Sequence, residues 1–301
     1  MALPIYASTG ERAWYYGFRV ICGLIFLFLI APILIVIPLS FNSEPYFSFT
    51  DGMLAFEKEA YSLRWYQDFL HNGMAAPFAE EGWWADLWNN SQWIRAIKNS
   101  FYFGILSTLL ATGLGTLAAI GLSRSEMPFK GAIMAMLISP MIVPLVITAS
   151  GLFYSFSQVG LTQSDIGIVL AHAVLGTPFV IITVTATLVG FDQSLVRAAQ
   201  SMGASSARTF FKVQMPLILP GVISGGLFAF ITSFDEVVVV LQMASAEQRT
   251  IPRQMFSGIR EQISPTILAV ATILVIISIL LLTVVELLRR RSERLRGLSP
   301  A

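Results

Sequence analysis

The chain has 301 residues, of which 55% are hydrophobic and only 12% charged, with a mean hydropathy of +0.71 and a formal net charge of +1. A soluble domain carries about twice that charged fraction, so there is too little polar side chain to cover a water-facing surface, and the composition is that of a membrane protein. No basic run interleaved with aromatics suggests nucleic acid, and the single cysteine, Cys22, cannot form an internal disulfide or a metal cluster.

Residues 20–39 are an uncharged run of 20, enough to cross a hydrocarbon core of roughly 30 Å at about 1.5 Å per residue. The run is too long for the apolar core of a cleaved leader and holds Pro32 and Pro38, so a retained first span is expected. A loop over 42–99 follows, with eight acidic and four basic residues and with Trp65, Trp83, Trp84, Trp88 and Trp93. These tryptophans read as an aromatic belt at the headgroup level or as simple packing, with a docking surface as the functional alternative.

Five further spans are expected, over 100–122, 131–156, 166–190, 215–243 and 263–288. The second and fifth carry small residues at every fourth position: Ser107, Ala111, Gly115 and Ala119, then Gly221, Gly225, Ala229 and Ser233. Helices in lipid associate by close approach, and such stripes permit it. Pro140 and Pro144 in the third span each remove a backbone donor and kink or break the helix, which suits a pathway wall or a static kink. His172, the one titratable group of the fourth span, reads as a hydrogen-bonded core residue. The sixth opens with Ser264-Pro265, an N-cap followed by proline.

With the N-terminus inside, twelve Lys and Arg fall on the inner side and seven on the outer. This bias predicts cytoplasmic N- and C-termini and puts the 42–99 loop outside. The whole chain, 1–301, is expected to be a single all-α transmembrane domain of six helices.

Residues 191–214 make an inner segment too long for a tight turn. Asp192 or Ser194 can cap a short helix, Gly203 can end it in the left-handed conformation, and Ser205 or Ser206 can start another. The expected form is two short helices around a glycine elbow. Here Ala198-Ala199, Gly203-Ala204, Phe211, Met215-Pro216 and Leu219-Pro220 stand at the spacing of a known motif. They resemble the EAA loop of type I ABC importer permeases. That resemblance implies a coupling helix docked in a cytoplasmic ATPase, with Arg197, Ala198, Ala199, Met202, Gly203, Ala204 and Phe211 as the coupling residues. Arg197 stands where the family usually has glutamate, which would reverse the polar pairing with the ATPase.

A second resemblance runs over Ser233-Phe234-Asp235-Glu236, Thr250-Ile251-Pro252, Gly258-Ile259-Arg260, Ser264-Pro265-Thr266 and Glu286-Leu287-Leu288-Arg289-Arg290-Arg291, together with Ser40-Phe41-Asn42 and Ser62-Leu63-Arg64-Trp65-Tyr66. These look like permeases of the spermidine/putrescine branch, whose relatives also import other small solutes such as aminophosphonates. The resemblance implies a non-catalytic subunit in a bacterial cytoplasmic membrane. Its partners would be cytoplasmic ATPase subunits, a second homologous permease, an extracytoplasmic substrate-binding protein and membrane lipid. ATP and magnesium would be bound by the partners, with no cofactor on this chain.

Asp235 and Glu236 are two adjacent carboxylates in an apolar span, each costing on the order of 2.5 to 3.5 kcal/mol at mid-membrane. With Phe234 they are the candidate lining of a pathway for a cationic solute. The structural alternative, for a pair placed toward the outer end of the fifth helix, is hydration or pairing with Arg249, Arg253 or Arg260. An intramembrane enzyme would need a nucleophile with a base or a metal cluster, and no such constellation is evident. A self-contained secondary transporter would more often show internal repeats and would not need a coupling segment. No phosphate loop ending in Gly-Lys-Ser/Thr is present, so ATP is expected to bind elsewhere.

Overall fold

The structure, a computed structural model, describes residues 8–124, 126–261 and 264–295. In chain order the helices are α1 (Thr9–Leu39), α2 (Asp51–Leu54), α3 (Arg64–His71), α4 (Trp83–Asn90), α5 (Gln92–Ser123), α6 (Lys130–Ile142), α7 (Leu145–Gln158), α8 (Asp165–Val189), α9 (Gln193–Ser201), α10 (Ser206–Thr209), α11 (Met215–Asp235), α12 (Val238–Met243), α13 (Ile251–Glu261) and α14 (Thr266–Leu295). Among the described residues no β-strand occurs beyond an isolated bridge between Asn42 and Tyr61. The chain divides into two compact units, one of residues 1–72 with 258–301 and one of residues 73–257.

In the first unit, α1 is capped at its N-terminus by Ser8, whose hydroxyl accepts from the Glu11 N–H while the Glu11 carboxylate accepts from the Ser8 N–H. Its side chains stay largely exposed along the apolar length, as expected of a helix whose solvent is lipid. Beyond it, Ser40 Oγ meets Tyr66 Oη at 2.7 Å and the buried Trp65 donates its indole N–H to the Asn42 carbonyl at 2.6 Å. The helix α3 is held to the start of α14 by Thr266 Oγ1 donating to Asp68 Oδ2. Ser264 Oγ accepts from the Thr266 N–H, so the Ser264-Pro265 signal opens α14 at Thr266. Residue 263, where the sixth span was expected to begin, lies outside the described residues, as does Arg296.

The second unit is built on α5, α8 and α11, which pack on one another around Ala111, Ala119, Val180, Val184, Ile218 and Ala229. The two small-residue stripes are the packing faces. Ser107, Ala111, Gly115 and Ala119 of α5 are buried, as are Gly221, Gly225, Ala229 and Ser233 of α11. A Cβ on Gly225 would lie 2.7 Å from Val180 Cα, and one on Gly115 2.7 Å from Val180 Cβ. Backbone contact of this kind replaces the hydrophobic burial that lipid makes worthless.

Two expected spans are interrupted. The 131–156 segment is α6 and α7, bent by 104°. Pro144 forces the residue before it out of the helical region, and Val143 is extended, with φ −70° and ψ 137°. Pro140 stays inside α6. It offers no N–H to the Met136 carbonyl, and that carbonyl instead accepts from Ser139 Oγ at 2.8 Å. The 215–243 segment is α11, ended at Asp235, and then α12. Glu236 is extended and a run of four valines, Val237–Val240, gives little support to an unbroken helix. Among the described residues, four continuous helices are long and apolar enough to cross a membrane: Thr9–Leu39, Gln92–Ser123, Asp165–Val189 and Ser206–Asp235. The bent pair makes a fifth, and the sixth expected span falls on α14, with Thr266–Leu280 as its apolar part.

The tryptophans of the 42–99 loop separate into two groups. Trp65 and Trp93 are core residues, whereas Trp84 and Trp88 are exposed, the latter under the ammonium of Lys98 at 4.6 Å.

Candidate functional site: a helical elbow and a polar helix break

Both candidate regions belong to the second unit. The first is the segment after α8. Asp192 caps α9, its Oδ1 accepting from the Ser194 N–H at 2.8 Å and its Oδ2 from the Ser194 hydroxyl at 2.7 Å. Those bonds, the hydroxyl first, hold the carboxyl below its ordinary value of 3.8, with the Arg197 guanidinium adding to the effect. The helix ends on Gly203 at φ +84°, with its N–H bonded to the Gln200 carbonyl at 2.9 Å and the Ala204 N–H bonded to the Ala199 carbonyl at 3.1 Å. This pair of bonds is a Schellman motif, which satisfies the last carbonyls of the helix and reverses the chain. Ser205 then caps α10, accepting from the Arg208 N–H.

Among the coupling residues expected here, Ala199 is buried and Ala204 half-buried, while Arg197, Ala198 and Gly203 are exposed. Met202 and Phe211 are large apolar side chains left 82% and 67% exposed, with Leu195 also exposed. The link to α11 is a π-helical turn over Phe210–Gln214, closed by the Met215 N–H bonding the Phe210 carbonyl. Pro216 follows and lacks the N–H that an α-helical bond to Lys212 would need.

The second region is a cavity of about 570 Å³ lined by Pro140–Leu145 at the α6–α7 break, Leu175 and Phe179 of α8, and Ile231, Thr232, Asp235 and Glu236 at the end of α11. The two expected carboxylates share this wall but have different surroundings. Asp235 is exposed and makes no hydrogen bond or ion pair with another described residue. Glu236 is 4% exposed and turns inward, accepting from the Val239 N–H at 2.8 Å and the Val240 N–H at 3.3 Å. It thereby caps α12 from one position before the usual cap residue, a role open to a longer side chain.

Glu236 is also met from α8. The Nε2 of His172 lies 3.5 Å from Glu236 Oε2, an ion-pair distance longer than a good hydrogen bond. The other ring nitrogen, Nδ1, is 2.7 Å from Ser233 Oγ, which in turn lies 2.9 Å from Ser107 Oγ. All four side chains are buried. The alternative pairing with arginines is not what the carboxylates make. Arg249 donates to Gln254, and Arg253 to the Ala244 and Ser245 carbonyls. Phe234, expected with the carboxylates, does not line this cavity. It stacks on Phe230 and meets the edge of Phe101 at centroid distances of 5.5 and 5.4 Å. The aromatic residue in the cavity lining is Phe179, whose ring stacks on Phe228.

A family model described as "Binding-protein-dependent transport system inner membrane component" matches residues 111–296, which include both regions. The chain belongs to that family. The spermidine/putrescine transport system permease protein PotC of Haemophilus influenzae is 30% identical over 269 residues, 89% of this chain and 95% of the relative. The putrescine transport system permease protein PotI of Escherichia coli is 29% identical over 257 residues, 83% of this chain and 82% of the relative. Among solved structures, the fold is similar to a chain of a bacterial ABC transporter involved in the import of the acidic polysaccharide alginate. The TM-score is 0.66 at 16% identity, covering 96% of this chain and 99% of that one. The all-helical ABC importer permease fold expected from the sequence is therefore the fold of this chain, an inner-membrane transport component.

Proposed function

We propose that the chain is the permease subunit of an ATP-driven importer and that it conducts a small organic cation of the polyamine class. It carries no catalytic site. Cytoplasmic ATPase subunits bind and hydrolyse ATP with magnesium, a second homologous permease completes the pathway, and an extracytoplasmic binding protein delivers the solute. Both termini are cytoplasmic, because the excess of Lys and Arg lies on that side. The elbow around Gly203 is the coupling element, and its exposed Met202 and Phe211 enter the ATPase surface.

The observation that carries the substrate class is Asp235, a carboxylate without a partner among the described residues on the wall of a membrane-embedded cavity. An intramembrane carboxylate left unpaired calls for a cation, and the lining of the same cavity includes the aromatic Phe179. The names of the relatives, PotC and PotI, specify the same chemistry for those proteins. An aminophosphonate brings negative charge that Asp235 would repel.

The test is uptake of labelled spermidine and putrescine by cells that lack other polyamine transporters and express the chain with its ATPase and partner permease. Asp235→Asn is expected to lower uptake at low solute by about tenfold, as for loss of a charge-assisted bond, with assembly intact on co-purification. Unchanged uptake by that variant, or uptake of an aminophosphonate but no polyamine, would overturn the reading.

A further inference from the structure

Asp235 makes no side-chain bond to another described residue, so its position depends on the residues on either side of it. Two residues before it stands Ser233 and one after it stands Glu236, and both are met by one side chain of a neighbouring helix. His172 Nδ1 lies 2.7 Å from Ser233 Oγ and Nε2 lies 3.5 Å from Glu236 Oε2. The imidazole therefore brackets Asp235 from behind the cavity wall, at 1% exposure.

The spacing of these groups supports the bracket. Ser233 Oγ sits between Ser107 Oγ at 2.9 Å and His172 Nδ1 at 2.7 Å, while the Ser107 hydroxyl also donates to the Phe103 carbonyl of its own helix. Glu236 in turn accepts two backbone N–H groups of α12. A carboxylate buried this deeply is tolerable only when its oxygens are satisfied; the two N–H groups do that, and the imidazole, 3.5 Å away, is its neighbour from α8. The chain from Ser107 through Ser233 and His172 to Glu236 links α5, α11, α8 and α12 at the point where α11 stops.

We infer that His172 is a positioning residue of the transport pathway: by anchoring Ser233 and Glu236 it ends α11 at Asp235 and holds that carboxylate on the cavity wall. This rests on the reading of Asp235 given above, and its test separates the two. In a Cys22→Ala background, spin labels on Asp235→Cys and Ile142→Cys report the distance across the cavity without reference to uptake. With His172 present a single narrow distance is expected. His172→Leu should spread it into a broad distribution, and His172→Gln, whose amide can still donate to Glu236, should narrow it again.

In the unlabelled chain, His172→Leu is expected to raise the KM for polyamine uptake about tenfold, with the rate at saturating solute held within about twofold, as for loss of uniform binding. A narrow distance unaltered by His172→Leu, or a loss of saturating rate with KM unmoved, would overturn the inference. If His172→Leu does not assemble, Ser233→Ala removes the hydroxyl under Nδ1 and should broaden the distance to a smaller degree, and an unaltered spectrum there would also overturn it. A broadened distance with Asp235→Asn transporting normally would sink the pathway reading and leave the positioning role standing.

Discussion

The elbow at 192–204 and the break at 235–236 both interrupt helical backbone in the same unit, yet they are made differently. Every bond that shapes the elbow is local. Asp192 caps its own helix, Gly203 takes the left-handed conformation, and the two closing bonds reach only three and five residues back. At the break, by contrast, the residues that meet are Ser107, His172, Ser233 and Glu236, drawn from three helices and the segment after one of them. Local bonds shape the elbow without the helix core, which fits the coupling role proposed for it with Met202 and Phe211 exposed. Long-range bonds tie the break into the helix core, as suits a wall that must keep one carboxylate in place.

Two glycines put this contrast to its severest test. Gly225 has ordinary helical backbone but no room, since a Cβ would fall 2.7 Å from Val180 Cα. Gly225→Leu should therefore force α8 and α11 apart, cost about 1–3 kcal/mol or more through overpacking, and abolish assembly, as read by co-purification and thermal stability in detergent. Gly203 is the reverse, with open space around it and a φ of +84°. Gly203→Val should leave the core intact but strain the elbow by on the order of 1–3 kcal/mol. Uptake should drop while ATP hydrolysis escapes its control, and Gly203→Asn, which tolerates this conformation, should be milder. Equal damage to assembly by both valine and asparagine at 203 would show that the elbow is held by tertiary packing after all.

The smallest effect is expected at Asp192. Its folded carboxyl titrates below 3.8 because the Ser194 hydroxyl and N–H bond the charged form. A lowered value means that the stabilisation is fully present above the ordinary value and is lost as pH falls through the folded one. Hydrogen-exchange protection over residues 194–200, corrected for intrinsic rate, should thus be flat from neutral pH down to about 5 and decline only below 3.8. Asp192→Ser keeps an oxygen at the cap and should remove the decline. A decline centred near neutral pH would point to another group.

Local rules make the elbow legible in the order of its residues. Ser and Asp before short runs, one glycine and the prolines at 216 and 220 carry their own geometry. The break at Pro144 is visible for the same reason, because proline dictates the backbone of the residue preceding it. At the other break, Asp235 and Glu236 are identifiable as costly residues, and so is His172 as a lone titratable group in its span. Their separation into one carboxylate on the cavity and one folded back on His172 is not legible. Neither is the turn of Phe234 toward Phe101 and Phe230, which leaves the cavity to Phe179. Adjacent residues point to different sides of a helix end, and only the neighbouring helices determine which side is the wall.

By itself the sequence determined that this is a membrane protein, where its apolar segments lie, which faces of α5 and α11 are narrow enough to pack, and where the elbow turns. Each of these depends on residues close together in the chain or on a composition that lipid and water sort directly. Tertiary structure alone decided that His172 meets Ser233 and Glu236 at the point where α11 stops. Those outcomes depend on partners more than sixty residues away, and a buried polar group takes its role from whichever donor or acceptor the packed helices bring to it.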